Sequence, residues 1–326
     1  MDVYEMGGYL PLELGAGTGF FKNIEDTHIL ELNTGRAAIW CAVMSLDVDK
    51  VMVPYFYCPD IIKMLQNMDV EIIFYHIGED LMPVNINMDE SNFVIILVNY
   101  YGIIGNEVVN YSKKFKKVII DQAHAFYYPP VMNDGVMNVY SCRKFFGVPD
   151  GAYLIGKGIK DFSLERDVSY NRAVFLLKSI ELGTNSAYLE SKLNETEIGK
   201  NILKMSLLTK HILNGINYEL ISEKRKRNFE YLHNRFDNIQ LLKIPNGDKV
   251  PYVYPLMLNQ GIHETLVQHN VYVPILWKDL INNNDKNTVE YMYASRIMAL
   301  PIDQRYDIPD LEYLISLVLD ISKNNN

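Results

Sequence analysis

The chain has 326 residues, 48% hydrophobic and 22% charged, the mix of a soluble globular protein with apolar material for one large domain or two modest ones. A net charge of −9 argues against a dedicated nucleic-acid binder, and no apolar run reaches the ~18 residues of a membrane span. Cys41, Cys58 and Cys142 show no metal-ligand spacing and read as reduced thiols, and Met1-Asp2-Val3-Tyr4-Glu5 lacks the basic and apolar stretches of a signal peptide, so a soluble cytoplasmic chain without metal or membrane partner is expected.

Residues 1–30 read as irregular, broken by Gly7-Gly8, Gly15 and Gly17-Thr18-Gly19. Apolar residues at helical spacing predict a helix over 34–46. Short apolar runs predict strands over 51–54, 71–75, 93–98, 118–120, 136–140 and 152–155. Helices are expected over 60–68, with Pro59 at the mouth, and over 107–116. Buried strands alternating with helices indicate an α/β fold with a mostly parallel sheet, in which ligands gather beyond the carboxyl ends of the strands.

The chain from 161 to 235 reads as helix-rich, with helices over 187–193, 198–213 and 219–236. A second unit mixes strands over 252–257, 271–274 and 298–301 with a last helix over 310–321, leaving Asn282–Asp285 as a polar loop and Ser322–Asn326 as a frayed tail. The expected division is a large domain over 1–235 and a small C-terminal domain over 236–326. The charge runs Lys113–Lys117 and Lys224–Arg227 read as solvated helix faces.

Chemistry concentrates at predicted strand ends. Asp121 closes one apolar run and opens Asp121-Gln122-Ala123-His124; Ser141 and Lys144 close the next, in Ser141-Cys142-Arg143-Lys144. Pyridoxal phosphate needs an amine to join its aldehyde and shuttle protons, a carboxylate to keep its ring nitrogen protonated, backbone donors for its phosphate and a cover for its ring. Lys144 offers the amine and Asp121 the carboxylate. Ser141 and the helix mouth Thr34-Gly35-Arg36 offer phosphate contacts. Tyr57 or Cys58, in Pro54-Tyr55-Phe56-Tyr57-Cys58-Pro59, offers the cover. Taken singly, each has a plainer reading: Thr34 as a helix cap, Asp121 as a loop residue, His124 as a core histidine. Their order along the chain favours the cofactor.

From about Leu32 to Ile155 the chain resembles the fold-type-I pyridoxal phosphate enzymes, and among them the DegT/DnrJ-type sugar aminotransferases. Thr34-Gly35-Arg36-Ala37-Ala38-Ile39 is similar to the family's phosphate loop, Asn99-Tyr100-Tyr101-Gly102 to the close of a strand, and Asp121-Gln122-Ala123-His124 to its Asp-x-Ala-His/Gln. Asp150-Gly151-Ala152 is similar to the acid-glycine-glycine beyond the lysine. The chain departs from the family in placing Lys144 three residues after Ser141 rather than five, in having Arg36 for a hydroxyl residue, and in having Cys58 at or beside the ring-stacking position. The resemblance implies that Asp121 meets the pyridine nitrogen and that His124 lies near the 3-hydroxyl.

It further implies transfer of an amino group, from a donor such as glutamate, to a keto group of a nucleotide-linked sugar, in a homodimer with its site at the interface. Related sugar dehydratases carry histidine in place of the lysine, so Lys144 speaks for transamination; a ligand-binding protein without turnover is the further alternative. Trp277, Arg305 and Tyr306 stand out in the second half without an assigned role.

Overall fold

The computed structural model describes residues 8–10, 12–86, 92–283 and 285–324. The acidic start Met1–Glu5, Asn284 of the polar loop and the last two residues of the tail lie outside the described residues. The first half contains β1 (Ile29–Leu32), α1 (Gly35–Leu46), β2 (Lys50–Pro54), α2 (Pro59–Gln66), β3 (Glu71–Ile77), β4 (Pro83–Val84), β5 (Phe93–Val98), α3 (Gly105–Ser112), β6 (Val118–Asp121), β7 (Val136–Ser141) and β8 (Ala152–Gly156). Then follow the helices α4 (Val174–Leu182), α5 (Tyr188–Ile198), α6 (Leu207–Asn214) and α7 (Tyr218–Phe236). The rest contains β9 (Tyr254–Met257), α8 (His263–Gln268), α9 (Asp279–Asn283), α10 (Val289–Arg296), β10 (Ile297–Leu300) and α11 (Ile308–Asn324).

The first eight strands form one sheet in the order β1-β8-β7-β6-β5-β2-β3-β4. Its centre, from β3 through β2, β5 and β6 to β7, is parallel; β8, β1 and β4 join antiparallel at the two sides. The central strands are apolar without alternation because both faces are covered, and every residue of β5 after Phe93 is buried. Strand order reverses between β5 and β2, the switch point beyond whose carboxyl ends such sheets bind ligands. A second, two-stranded sheet pairs β9 with β10. The main core runs from the sheet through α1 into β9, β10 and α11, while an aromatic cluster of Phe21, Phe126, Tyr140, Phe145, Phe146 and Tyr153 backs the turn after β7.

The architecture is α/β with a large, mostly parallel sheet, as expected from sequence. Several local expectations are corrected. Residues 29–32 form strand β1 at the edge, inside a stretch read as irregular. The helix expected over 198–213 exists only as α6, because Lys204 pairs in extended bridges with Leu32 and Arg166 and Ser206 starts the helix as its cap. Residues 271–274 form no strand. Asn282 and Asn283 end α9 instead of lying in a loop, and α11 continues to Asn324 through the expected tail. The Lys113–Lys117 run lies past the end of α3, in the turn into β6. In the second charge run Arg225 is buried, only 2% exposed. Among the described residues no helix is long and apolar enough to cross a membrane.

Candidate active site

The carboxyl ends of β2, β5, β6 and β7 bring Tyr57, Asn99, Asp121 and Ser141 to one edge of the sheet. Asp121 ends β6 with its carboxylate buried: Oδ2 accepts from the Tyr57 hydroxyl at 2.7 Å and Oδ1 from the Ala123 N–H at 2.8 Å. Burial raises its pKa above the ordinary carboxylate range, and the Tyr57 hydroxyl, the Ala123 N–H and the Lys144 ammonium pull against that rise.

Lys144 closes the short 3-10 turn Cys142–Lys144 that follows β7. Its Nζ stands 5.1 Å from the centre of the Tyr252 ring, within cation–π range. Its charge also acts on Asp121, His124 and Cys58, so the three titrating groups lie within its field. Burial raises the Cys58 thiol; N–H groups at the mouth of α2 and the Lys144 charge only partly oppose this. Cys58 therefore stays a neutral, soft side chain.

His124 is buried, and its Nδ1 lies 3.2 Å from the Tyr101 N–H. Burial, with the Lys144 charge adding to it, holds the imidazole well below its usual pKa. A neutral ring whose Nδ1 accepts a backbone N–H carries its proton on Nε2. Tyr101 makes this bond from a left-handed backbone, φ 57°, and Gly102 follows at φ 79°, where a Cβ would stand 2.2 Å from the His124 carbonyl oxygen. The glycine is thus obligatory for the turn that aims the Tyr101 amide.

At the opposite end of the site, Thr34 caps α1, its hydroxyl accepting from Ala37 N–H at 3.0 Å. The amides of Gly35 and Arg36 head the helix. A Cβ on Gly35 would stand 3.9 Å from the Ser141 Cβ, so helix mouth and serine face each other with no side chain between them. Gly151 fastens this corner: its N–H donates to the Asn33 carbonyl at 2.7 Å and its carbonyl accepts from Cys142 N–H at 3.0 Å. Asp150 beside it caps α6 through Ser206 N–H and hydroxyl, both at 2.7 Å, and the Thr209 hydroxyl.

The structure thus gathers Lys144, Asp121, His124, Tyr57 and Cys58 in one group and brings Thr34 and Gly35 to Ser141. The Arg36 side chain turns elsewhere: it lies 3.8 Å from Asp60 and lines a cleft of about 430 Å³ with Lys192, Glu195 and Lys200. Tyr57 directs its hydroxyl to the acid. Sequence reading placed Tyr101 only in the close of a strand, missed Tyr252 as a site residue and gave Trp277 no role; all three rings stack on His124, at centroid distances of 6.1, 5.1 and 5.9 Å. Nothing in the sequence near Tyr252 signals this, since it lies over a hundred residues from His124 and reads as part of a strand.

No protein-family model matches the chain, and no curated protein sequence matches it. Solved structures do. It is similar to a putative sugar aminotransferase, Spr1654, from Streptococcus pneumoniae in its PMP form, with a TM-score of 0.63, 15% identity, and 91% of this chain and 88% of that one covered. It is similar to a DegT DnrJ EryC1 StrS aminotransferase from Brucella abortus, with a TM-score of 0.61, 15% identity and coverages of 92% and 86%. It is similar as well to Helicobacter pylori PseC, an aminotransferase involved in pseudoaminic acid biosynthesis, with a TM-score of 0.58, 15% identity and coverages of 91% and 87%. The likeness is one of fold, and it extends over nearly the whole of each chain.

Proposed function

We propose that the protein is a pyridoxal phosphate-dependent aminotransferase acting on a sugar. The observation that carries this reading is the convergence of Lys144, Asp121 and His124 at the carboxyl ends of parallel strands. The residues fit the cofactor on two further grounds: Gly35 leaves the head of α1 open to Ser141, as a phosphate requires, and Asp121 is a buried carboxylate with lone pairs to spare. When bound, pyridoxal phosphate supplies an electron sink for negative charge at the carbon bearing the donor's nitrogen.

In this reading Lys144 would hold the cofactor and would serve as the amine that takes up and returns a proton at the substrate carbon. Asp121 would hold the proton on the pyridine nitrogen, and the Tyr57 hydroxyl favours the charged form of that carboxylate against its burial. His124 donates from Nε2 toward the 3-hydroxyl. The Gly35 and Arg36 amides and Ser141 bind the phosphate, with Thr34 shaping the helix mouth. Cys58 covers a ring face as a neutral thiol. Glutamate as donor, a nucleotide-linked keto sugar as acceptor and a cytoplasmic location belong to the same proposal. So does the division into a cofactor-binding part over 1–235 and a smaller part over 236–326, whose border falls at the end of α7.

A homodimer completes it. The helix α4 is apolar, yet none of its residues is buried; Leu177 is 60% and Ile180 80% exposed, and Leu189 and Leu193 of α5 add 72% and 66%. Exposed apolar side chains clustered on two adjacent helices favour a second copy as the covering surface.

The test is optical. The full chain incubated with pyridoxal phosphate should gain a band in the near-ultraviolet or visible, borohydride should fix the cofactor to Lys144, and glutamate should bleach the band. Lys144→Ala should keep its far-ultraviolet circular dichroism and show no band. A wild-type protein that stays colourless, or a variant with the same band, refutes the reading.

A further inference from the structure

We propose that Arg225 is a positioning residue for the Lys144 amine; the inference rests on the role given to Lys144 above. Its neighbours in the charge run turn outward: Lys224 and Arg227 to Asp307, and Lys226 to Asp248. Arg225 alone turns inward from α7 and is among the largest fully buried side chains of the molecule.

The acceptors it reaches are all carbonyls, and they belong to two segments. Nη1 donates to the Tyr252 carbonyl at 3.0 Å and the Pro251 carbonyl at 3.3 Å. Nη2 reaches the Phe145 carbonyl at 3.5 Å, and the guanidinium carbon lies 4.6 Å from the Phe145 ring centre. Gln304 supplies a second donor to the same Phe145 carbonyl at 2.9 Å. Phe145 is the residue directly after Lys144. Tyr252 carries the ring that faces the Lys144 amine at 5.1 Å and stacks on His124. One rigid fork therefore ties together the segment directly after the lysine and the residue whose ring faces its amine.

A purely structural role explains this poorly. Burying a guanidinium is costly before its partners compensate, and an apolar side chain of similar volume would hold α7 to the sheet without that cost. The buried Arg225 Nε finds no partner among the described residues, so the group is not optimised for stability alone. What an apolar side chain could not do is fix two carbonyls from separate segments at set directions.

The test uses the full chain, pyridoxal phosphate as probe, and the variants Arg225→Met, Arg225→Lys and Gln304→Leu. Borohydride-fixed cofactor on Lys144 is followed in time by peptide mass spectrometry. In parallel, cofactor-free protein is treated with trinitrobenzenesulfonate, and labelling of Lys144 is divided by that of exposed Lys63 in the same molecules. Arg225→Met with native circular dichroism should slow adduct formation about tenfold and shift the labelling ratio about threefold, with partial rescue by Arg225→Lys and a smaller, about twofold, loss in Gln304→Leu. A lowered melting temperature with adduct rate and labelling ratio both unchanged would assign Arg225 to holding α7 and overturn the proposal. If Arg225→Met does not fold, wild-type values in both remaining variants overturn it. A wild-type protein that never joins the cofactor at Lys144 refutes the functional reading, while the labelling ratio still decides the role of Arg225.

Discussion

The helices α1 and α4 are both rich in apolar residues, and their fates differ. In α1 seven of twelve residues are buried, packed against β8, β7 and β1; in α4 none of nine is buried, and the helix leans chiefly on α5. Apolar content fixes that a helix needs a partner surface and is silent on whether that surface lies in the same chain. The helix α1 finds its partner at home and holds Thr34 and Gly35 at its head, facing Ser141. On the proposal above, α4 finds its partner in another copy.

Experiments can break this contrast. The largest effect is expected from Ile180→Glu, which would place an unpaired carboxylate in the proposed subunit contact and weaken self-association on the order of a thousandfold. Sedimentation velocity over a concentration series reads this, and an unchanged mass ends the dimer assignment for α4. Ile39→Ala, on the buried face of α1, should cost about 3 kcal/mol in urea unfolding through lost burial and the cavity left behind; a loss below about 1 kcal/mol would mean that α1 is not anchored as described.

A smaller effect sharpens the contrast where burial acts on a titrating group. His124 is held neutral when folded, whereas in the unfolded chain it takes up a proton near pH 6.5. The unfolded state therefore binds more protons below that pH, and the stability due to this group, complete above about pH 6.5, is lost as pH falls, by up to about 1.4 kcal/mol per pH unit. Urea midpoints measured from pH 7.5 to 5 should fall less steeply in His124→Gln than in wild type; parallel curves would contradict the buried neutral ring. The smallest effect belongs to the α4–α5 pair: Lys178→Met removes a solvent-screened ion pair with Glu190 of 2.5 Å and should leave the urea midpoint close to that of wild type.

The same contrast explains what the sequence disclosed. Strands covered on both faces, such as Phe93–Val98, announce themselves as continuous apolar runs, and a parallel sheet places Asp121 and Ser141 at its reactive edge by topology. The strand β1 escaped notice because four residues at the sheet edge, following a long glycine-broken stretch, carry too little pattern. The stretch 198–213 keeps a helical apolar period, but the backbone of Lys204 is claimed by extended neighbours far away in sequence. Arg225 sits in a run of cations, which by composition belongs in water; carbonyl oxygens that only the folded chain assembles admit it to the interior. Tyr252 and Trp277 reach His124 across more than a hundred residues, and no local rule records such a meeting.

The corner fastened at Gly151 bears on how the chain comes to be made. A nascent polypeptide that has exposed residues up to Lys144 already holds that lysine, the acid at 121 and the helix mouth at 35, but the ties that lock them are not yet present. Gly151 must first bridge Asn33 and Cys142, Thr209 must arrive to close on Asp150, and Tyr252 must reach His124. The pieces of the site are thus translated early and tightened last, so a ribosome stalled before residue 209 would present a loosely assembled sheet to chaperones and to the cofactor alike.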